Sequence, residues 1–520
     1  MAVPSDKGKR KGRWFFSRRR VAGFWLGIFL FMVMLLLPRP AGMSPSAQKM
    51  AAIALLMACW WISEAIPIAA TALVPLVAYP LLKILPTSEV ARSYATHNIF
   101  LFMGGFFISM AMQKWSLHRR IALHIINLVG VKPSRIVLGF MLATAFLSMW
   151  VSDTATVMMM FPIALSVISH AGVMGEGGNV DKQRSNFGFT LMLAIAYSSV
   201  IGGVGTLVGT PPNIIFAGTL GTIFPEAGEF DFFRWMMLGV PFVVLFIPLA
   251  WLYLVRVATS TSKQDSLGSG DVIRKEIKKL GAMCRGERYT LIIFVTTAFL
   301  WILRRNIEIG KVVIPGWADL LGIGEYVHDS TVAIAMALIM FFLPVDLRKG
   351  EFLLDWEWAK RIPWGILILF GGGFALASGF SQTGLASWIG GNLRGLGGIP
   401  VFAMVFLVSL LMTFLTEVTS NTATATTFMP ILAATALAVR VHPFMLMIPA
   451  TISASCAFML PVATPPNAIV FGSGYLTIPK MAKVGVVMNL IGAVLVFIIM
   501  YFLAVPLLGI EPLGLPSWAQ

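Results

Sequence analysis

The sequence predicts an all-α polytopic membrane protein with about 11 transmembrane helices and two re-entrant helical hairpins, set in an inverted repeat. Three observations carry that expectation. Apolar runs follow one another along most of the chain, basic residues gather in a few clusters, and one pair of polar motifs occurs twice in the same order.

Composition defines the solvent. Of 520 residues, 58% are hydrophobic and 12% charged, with a mean hydropathy of +0.84. A soluble domain carries about a quarter charged residues. Val21 to Leu37 is one apolar run, and similar blocks cover 97–112, 187–201, 236–255, 330–344, 363–380 and 484–508. A spanning helix needs about 20 mostly apolar residues. Residues 21–520 therefore read as one membrane domain preceded by a basic segment, 1–20. The first run ends in Leu37-Pro38-Arg39-Pro40 without a small-residue cleavage site, so it is expected to remain as a span.

The net charge of +16 is explained by its placement. Lys7, Lys9, Arg10, Lys11, Arg13, Arg18, Arg19 and Arg20 precede the first run. Further clusters are Lys114, Arg119, Arg120, Lys132 and Arg135, then Arg274, Lys275, Lys278, Lys279, Arg285 and Arg288. The tail 508–520 has no Lys or Arg. Cytoplasmic loops retain Lys and Arg. The expectation is a cell-membrane protein with its N-terminus in the cytoplasm and its C-terminus outside, bound to lipid and not to nucleic acid.

The halves repeat. The first has FLFMGGFFISMA (100–111), LSMWVSDTATVMMMFP (147–162) and GTLVGTPPNIIFAG (205–218). The second has LILFGGGFALAS (367–378), FLTEVTSNTATATTFMP (414–430) and FMLPVATPPNAIVFG (458–472). A glycine-rich span, Ser-(Asp/Asn)-Thr and Thr-Pro-Pro-Asn recur in one order, which points to duplication. The first half is longer between motifs because of a polar insert, 175–185.

Each Ser-(Asp/Asn)-Thr centre lies between two apolar arms of about 15 residues, short for spanning, so hairpins are expected at 134–169 and 400–440. Five spans fall between them: 187–218 (interrupted), 236–255, 289–303, 330–344 and 363–380. A hairpin returns to its own side, so an odd count places the two on opposite sides. This gives inverted repeats at about 50–256 and 289–508. Residues 114–130 and 271–284 mix charged and apolar residues at helical spacing, as surface-lying helices do. Cys59, Cys284 and Cys456 have no metal-like spacing and read as packing residues.

Polar centres inside a membrane have a chemical use. Hairpin tips and unwound helices expose backbone groups that lipid cannot satisfy, so such backbone lines a cavity or holds an ion. Hydroxyls, Asn carbonyls and free backbone carbonyls suit a hard cation such as sodium. Freed N–H groups and helix N-termini suit a carboxylate or sulfate. Pro211-Pro212 and Pro465-Pro466 break their helices and release the carbonyls of Gly209 and Ala463. The alternative is that the hydroxyls bond the preceding turn and the prolines only kink. Duplication of the paired motif favours a site for both a cation and an anion.

With those motifs in place, the chain resembles the divalent anion/sodium symporter family, which carries dicarboxylates, citrate and sulfate. The resemblance runs from about Ala22 to the C-terminus. It rests on WWISEAIPIAATALVP (60–75), TEVTSNTATAT (416–426) and SCAFMLPVATPPNAIV (455–470), and bacterial sodium-dependent dicarboxylate transporters are most similar. It implies sodium symport of succinate, malate or fumarate by an elevator-type motion of a transport domain against a scaffold, in a homodimer. No cofactor is implied beyond Na+ as coupling ion. The first sodium site would use Ser148, Ser152, Asp153 and the Gly209 carbonyl, and the second Thr416, Ser420, Asn421 and the Ala463 carbonyl. The substrate would meet Asp153, Thr154, Asn421 and Thr422, with Pro211 and Pro465 shaping the floor.

One position departs from the family's Ser-Asn-Thr: the first copy is Ser152-Asp153-Thr154. Ionised, Asp153 strengthens its sodium site and repels a dianion; protonated, it restores a donor and offers proton coupling. Glu64 and Glu417 are placed either to tune sodium affinity or to bond nearby backbone. A membrane-embedded enzyme would need a nucleophile–base pair or metal ligands, and the duplicated centres hold neither His nor Cys. Two closed hairpins argue for a carrier over a channel. A proton-coupled or sodium-independent exchanger, and a citrate or sulfate carrier, remain the alternatives within the carrier class.

Overall fold

The computed structural model describes residues 18–130, 132–170, 182–258, 269–309, 312–393 and 398–520, and these are mostly helical. The strands among them form two short antiparallel pairs, Ile307–Ile309 with Val312–Ile314 and Pro344–Asp346 with Glu351–Phe352. Six helices among the described residues are long and apolar enough to cross a membrane, from Arg18–Leu36 to Ile478–Leu507. Six shorter apolar helices accompany them, including three of the four arms around the Ser-(Asp/Asn)-Thr centres.

Those arms form two helix–turn–helix pairs of matching length. Pro133–Ser148 and Asp153–His170 have 16 and 18 residues, and Val401–Thr416 and Asn421–Ala438 have 16 and 18. Each turn ends on a serine, Ser152 or Ser420, the residue type that caps a new helix. The Thr-Pro-Pro-Asn motifs restart interrupted helices: Lys182–Gly203 resumes as Pro211–Ile223, and Phe444–Ser455 as Pro465–Phe471. Proline fits the first turn of a helix, where an N–H has no partner to lose.

The predicted surface helices are Leu117–Val129 and Ser269–Leu280. They are tied together by Arg119–Glu276 at 2.6 Å, while Arg120 pairs with Glu287 at 3.0 Å. Cys284 departs from the packing role: it is exposed and caps Arg285–Ile302 by accepting from the Glu287 N–H. Most of the insert 175–185 lies outside the described residues.

Helix His97–Lys114 separates two charged ends. At one, the His97 and His328 rings lie 4.1 Å apart beside Glu229, Arg304, Arg305 and Asp329. At the other, Lys114 pairs with Asp355 at 2.8 Å and Trp115 donates to the Leu353 carbonyl. The buried hydrophobic residues fall in two clusters. The larger contains both broken helices; the smaller joins residues of Pro45–Ser63 to Leu369, Ala375, Leu376 and Phe380.

Candidate functional site

The two helix pairs and the two helix breaks meet at one cavity of about 670 Å³. The first copy supplies Asp153, Thr154, Thr210 and Pro211, and the second Ser420, Asn421, Thr422, Ala463, Thr464 and Pro465. The facing wall comes from elsewhere: Glu64, Pro67, Ile68 and Ala69, with Pro363, Gly365, Ile366 and Leu369. Helix dipoles converge here, because Asp153, Pro211, Asn421 and Pro465 each begin a helix.

Eight of the twelve sequence-derived site residues line the cavity. The other four, Ser148, Ser152, Gly209 and Thr416, do not. Ser148 and Thr416 are fully buried and occupy matched places at the ends of their arms. Ser148 Oγ donates to the Ser199 carbonyl at 2.6 Å, and Thr416 Oγ1 to the Ala454 carbonyl at 2.9 Å and to Asn421 Oδ1 at 2.7 Å. A hydroxyl that gives its proton to a carbonyl keeps lone pairs for a cation. Ser152 Oγ accepts from the Ala155 N–H at 3.4 Å. Gly209 is buried where a Cβ would stand 2.4 Å from the Gly203 carbonyl oxygen, so this break closes only on glycine.

Two asparagines hold the breaks. Asn213 Nδ2 donates to the carbonyls of Gly203, Val204 and Thr206, and Asn467 Nδ2 to those of Ala457 and Leu460. Both Oδ1 atoms are buried without a hydrogen-bond partner, as is Ser455 Oγ. The breaks are thus rich in oxygen and poor in donors, which fits a hard monovalent cation. The second copy has an anchor that the first lacks. Glu417, 3% exposed, accepts from the N–H groups of Phe458, Met459 and Leu460 and from Asn489 Nδ2. At the matching place in the first copy, Thr206 Oγ1 donates to the Met149 carbonyl.

The electrostatics oppose an anion until cations are added. The wall holds two carboxylates, Asp153 and Glu64, and no Lys, Arg or His. Asp153 Oδ1 accepts from the Thr154 N–H at 2.6 Å and from Thr154 Oγ1 at 3.2 Å. Glu64 pairs with Arg20 at 3.1 Å. The motifs alone did not single out Thr210, Thr464 or Arg20, nor the apolar wall from Ile366 and Leu369.

A family model described as the sodium:sulfate symporter transmembrane region matches residues 18–510. The chain belongs to the sodium:sulfate symporter family. It is therefore a transporter and not an enzyme. Among curated relatives, the Sodium-dependent dicarboxylate transporter SdcS of Staphylococcus saprophyticus is 45% identical over 493 residues, covering 95% of this chain and 93% of its own. The protein of the same name in Staphylococcus aureus is 44% identical over 507 residues, covering 97% and 95%.

Two solved structures share the fold of this symporter-family chain. The Alcanivorax borkumensis YdaH transporter has a TM-score of 0.53 at 12% identity, covering 94% of this chain and 99% of its own. Neisseria gonorrhoeae MtrF has a TM-score of 0.54 at 10% identity, covering 93% and 95%.

Proposed function

We propose that this symporter-family protein imports C4-dicarboxylates such as succinate, malate or fumarate by sodium symport. The convergence of both motif copies on one cavity carries the reading, and the names of the staphylococcal relatives supply the substrate class. Sodium is cargo here. One ion is held by Ser148, Ser152, Asp153 and the Gly209 carbonyl, the other by Thr416, Ser420, Asn421 and the Ala463 carbonyl. Both offset the acidic wall, so the dianion binds after them. Thr154, Asn421 and Thr422 then orient its carboxylates over a floor set by Pro211 and Pro465.

The helix pairs act as re-entrant hairpins in the inverted repeat. The helix pairs and the broken helices move together as the transport domain against a scaffold. Alternating access in the elevator manner then moves the motif wall past the mostly apolar wall. With the basic clusters in the cytoplasm, the N-terminus lies inside and the tail 508–520 outside. Two copies form the working homodimer.

The test is uptake of labelled succinate into proteoliposomes under an inward sodium gradient, repeated with choline, with a proton gradient, and with preloaded succinate. Uptake that requires sodium supports the reading. One observation favours a second: among the described residues no basic side chain pairs with Asp153. Uptake driven by protons or counter-substrate without sodium would establish a proton-coupled carrier or an exchanger instead.

A further inference from the structure

We propose that Glu64 and Arg20 set the charge selectivity of the cavity, favouring dicarboxylates and disfavouring tricarboxylates. The inference rests on the reading of this cavity as the carboxylate site.

Glu64 lines the cavity from outside both motif copies. It caps helix Pro45–Ser63 in the left-handed region, at φ 51 and ψ 40, a conformation that favours glycine. A residue with a Cβ held there points to a use for the side chain. Its carboxylate meets Arg20 Nη2 at 3.1 Å, and the two side chains are 44% and 39% exposed. At that exposure the pair contributes little to stability, and Glu64 itself faces the cavity. The start of the first helix, Arg18–Leu36, approaches the second motif through Arg19, whose Nη2 donates to the Val418 carbonyl at 2.7 Å, in the turn before Ser420.

The charge balance gives the direction. Asp153 and Glu64 bring two negative charges to the wall, and Arg20 brings one positive charge from behind Glu64. Two bound sodium ions and Arg20, set against Asp153 and Glu64, leave one net positive charge, which a dianion already exceeds. A third carboxylate on the ligand meets the Glu64 charge without a further cation to offset it, which is discrimination by a repulsive element. Without Glu64 that repulsion is gone. Without Arg20, Glu64 repels it more strongly.

A structural ion pair and a selectivity pair make different forecasts. If the contact only pinned the first helix, removing either partner would have one effect of one sign. The experiment is sodium-driven succinate uptake in proteoliposomes, inhibited by tricarballylate, which is succinate with one added carboxymethyl arm. Glu64→Gln and Arg20→Gln are compared with wild type. Glu64→Gly is the second variant, because glycine relieves the left-handed backbone and folding is not at risk.

Both Glu64 variants are expected to strengthen tricarballylate relative to succinate by about fivefold, and Arg20→Gln to weaken it by a similar factor. Unchanged ratios, or a shift of the same sign in all three, would overturn the selectivity role while leaving the transport reading intact. A wild type that takes up no succinate would overturn the transport reading itself, and the selectivity inference with it.

Discussion

Asn213 and Asn467 hold their helix breaks by the same geometry. Each donates Nδ2 to the carbonyls ten and seven residues upstream: Gly203 at 3.2 Å and Thr206 at 2.7 Å in one copy, Ala457 and Leu460 at 3.1 Å in the other. The restarted helix thereby clamps the strand of backbone that precedes it.

Asn213→Asp and Asn467→Asp replace those donors with oxygens that face carbonyl oxygens. Each is expected to cost about 1–3 kcal/mol, read as a lower unfolding temperature in detergent. Sodium should stabilise the wild type by mass action and each variant much less. Equal sodium stabilisation in variant and wild type would separate the asparagines from cation binding.

Glu417 should matter more than its motif suggests. Glu417→Ala leaves the Met459 and Leu460 N–H groups and Asn489 Nδ2 without their acceptor, and the Phe458 N–H with only its longer bond to Asn489 Oδ1 at 3.3 Å, at about 1–3 kcal/mol for each buried group. The expected outcome is failure to fold. Glu417→Gln keeps the shape and some acceptance, so it should fold with raised sodium half-saturation. Wild-type sodium affinity in that variant would limit Glu417 to a packing role.

The repeat was legible because its chemistry is local. Ser152-Asp153-Thr154 and Ser420-Asn421-Thr422 stand where their own helices begin, and Pro211-Pro212 and Pro465-Pro466 restart theirs. The facing wall was not legible. Ile366 and Leu369 look like any other apolar residues of a membrane helix, and only packing brings them opposite the motifs. Arg20 was read as an orienting charge, since nothing in its neighbours announces a partner 44 positions later. Cys284 was misread because a helix cap depends on the capped N–H, not on the thiol's apolar character.

Asp153→Asn makes the first copy match the second. With the extra negative charge removed, succinate should bind several-fold more tightly and sodium more weakly, by about a factor of ten in each direction at most. Kinetics at fixed sodium and at fixed succinate separate the two effects. A variant with both affinities unchanged would make Asp153 a neutral substitute for asparagine.

Acid should loosen the charged cluster around Glu229 and His328. Burial works against the Glu229 charge. The hydrogen bond and charge of His328, with Arg304 and Arg305, outweigh it and hold that carboxyl at about 2, below its ordinary 4.5. A depressed carboxyl stabilises the fold fully above the unfolded value and loses that contribution as pH falls toward the folded one. Stability should therefore drop between pH 4.5 and about 2, and Glu229→Gln should remove that part of the drop. Identical acid profiles for the two proteins would contradict it.

If each motif copy holds one cation and both serve a single anion site, sodium should activate uptake cooperatively. Sodium titration of labelled succinate uptake tests this most directly, using wild type, Ser148→Ala and Thr416→Ala. Sigmoidal activation in the wild type, becoming hyperbolic and right-shifted in both variants, is the predicted result. Hyperbolic or absent sodium activation in the wild type would contradict the claim.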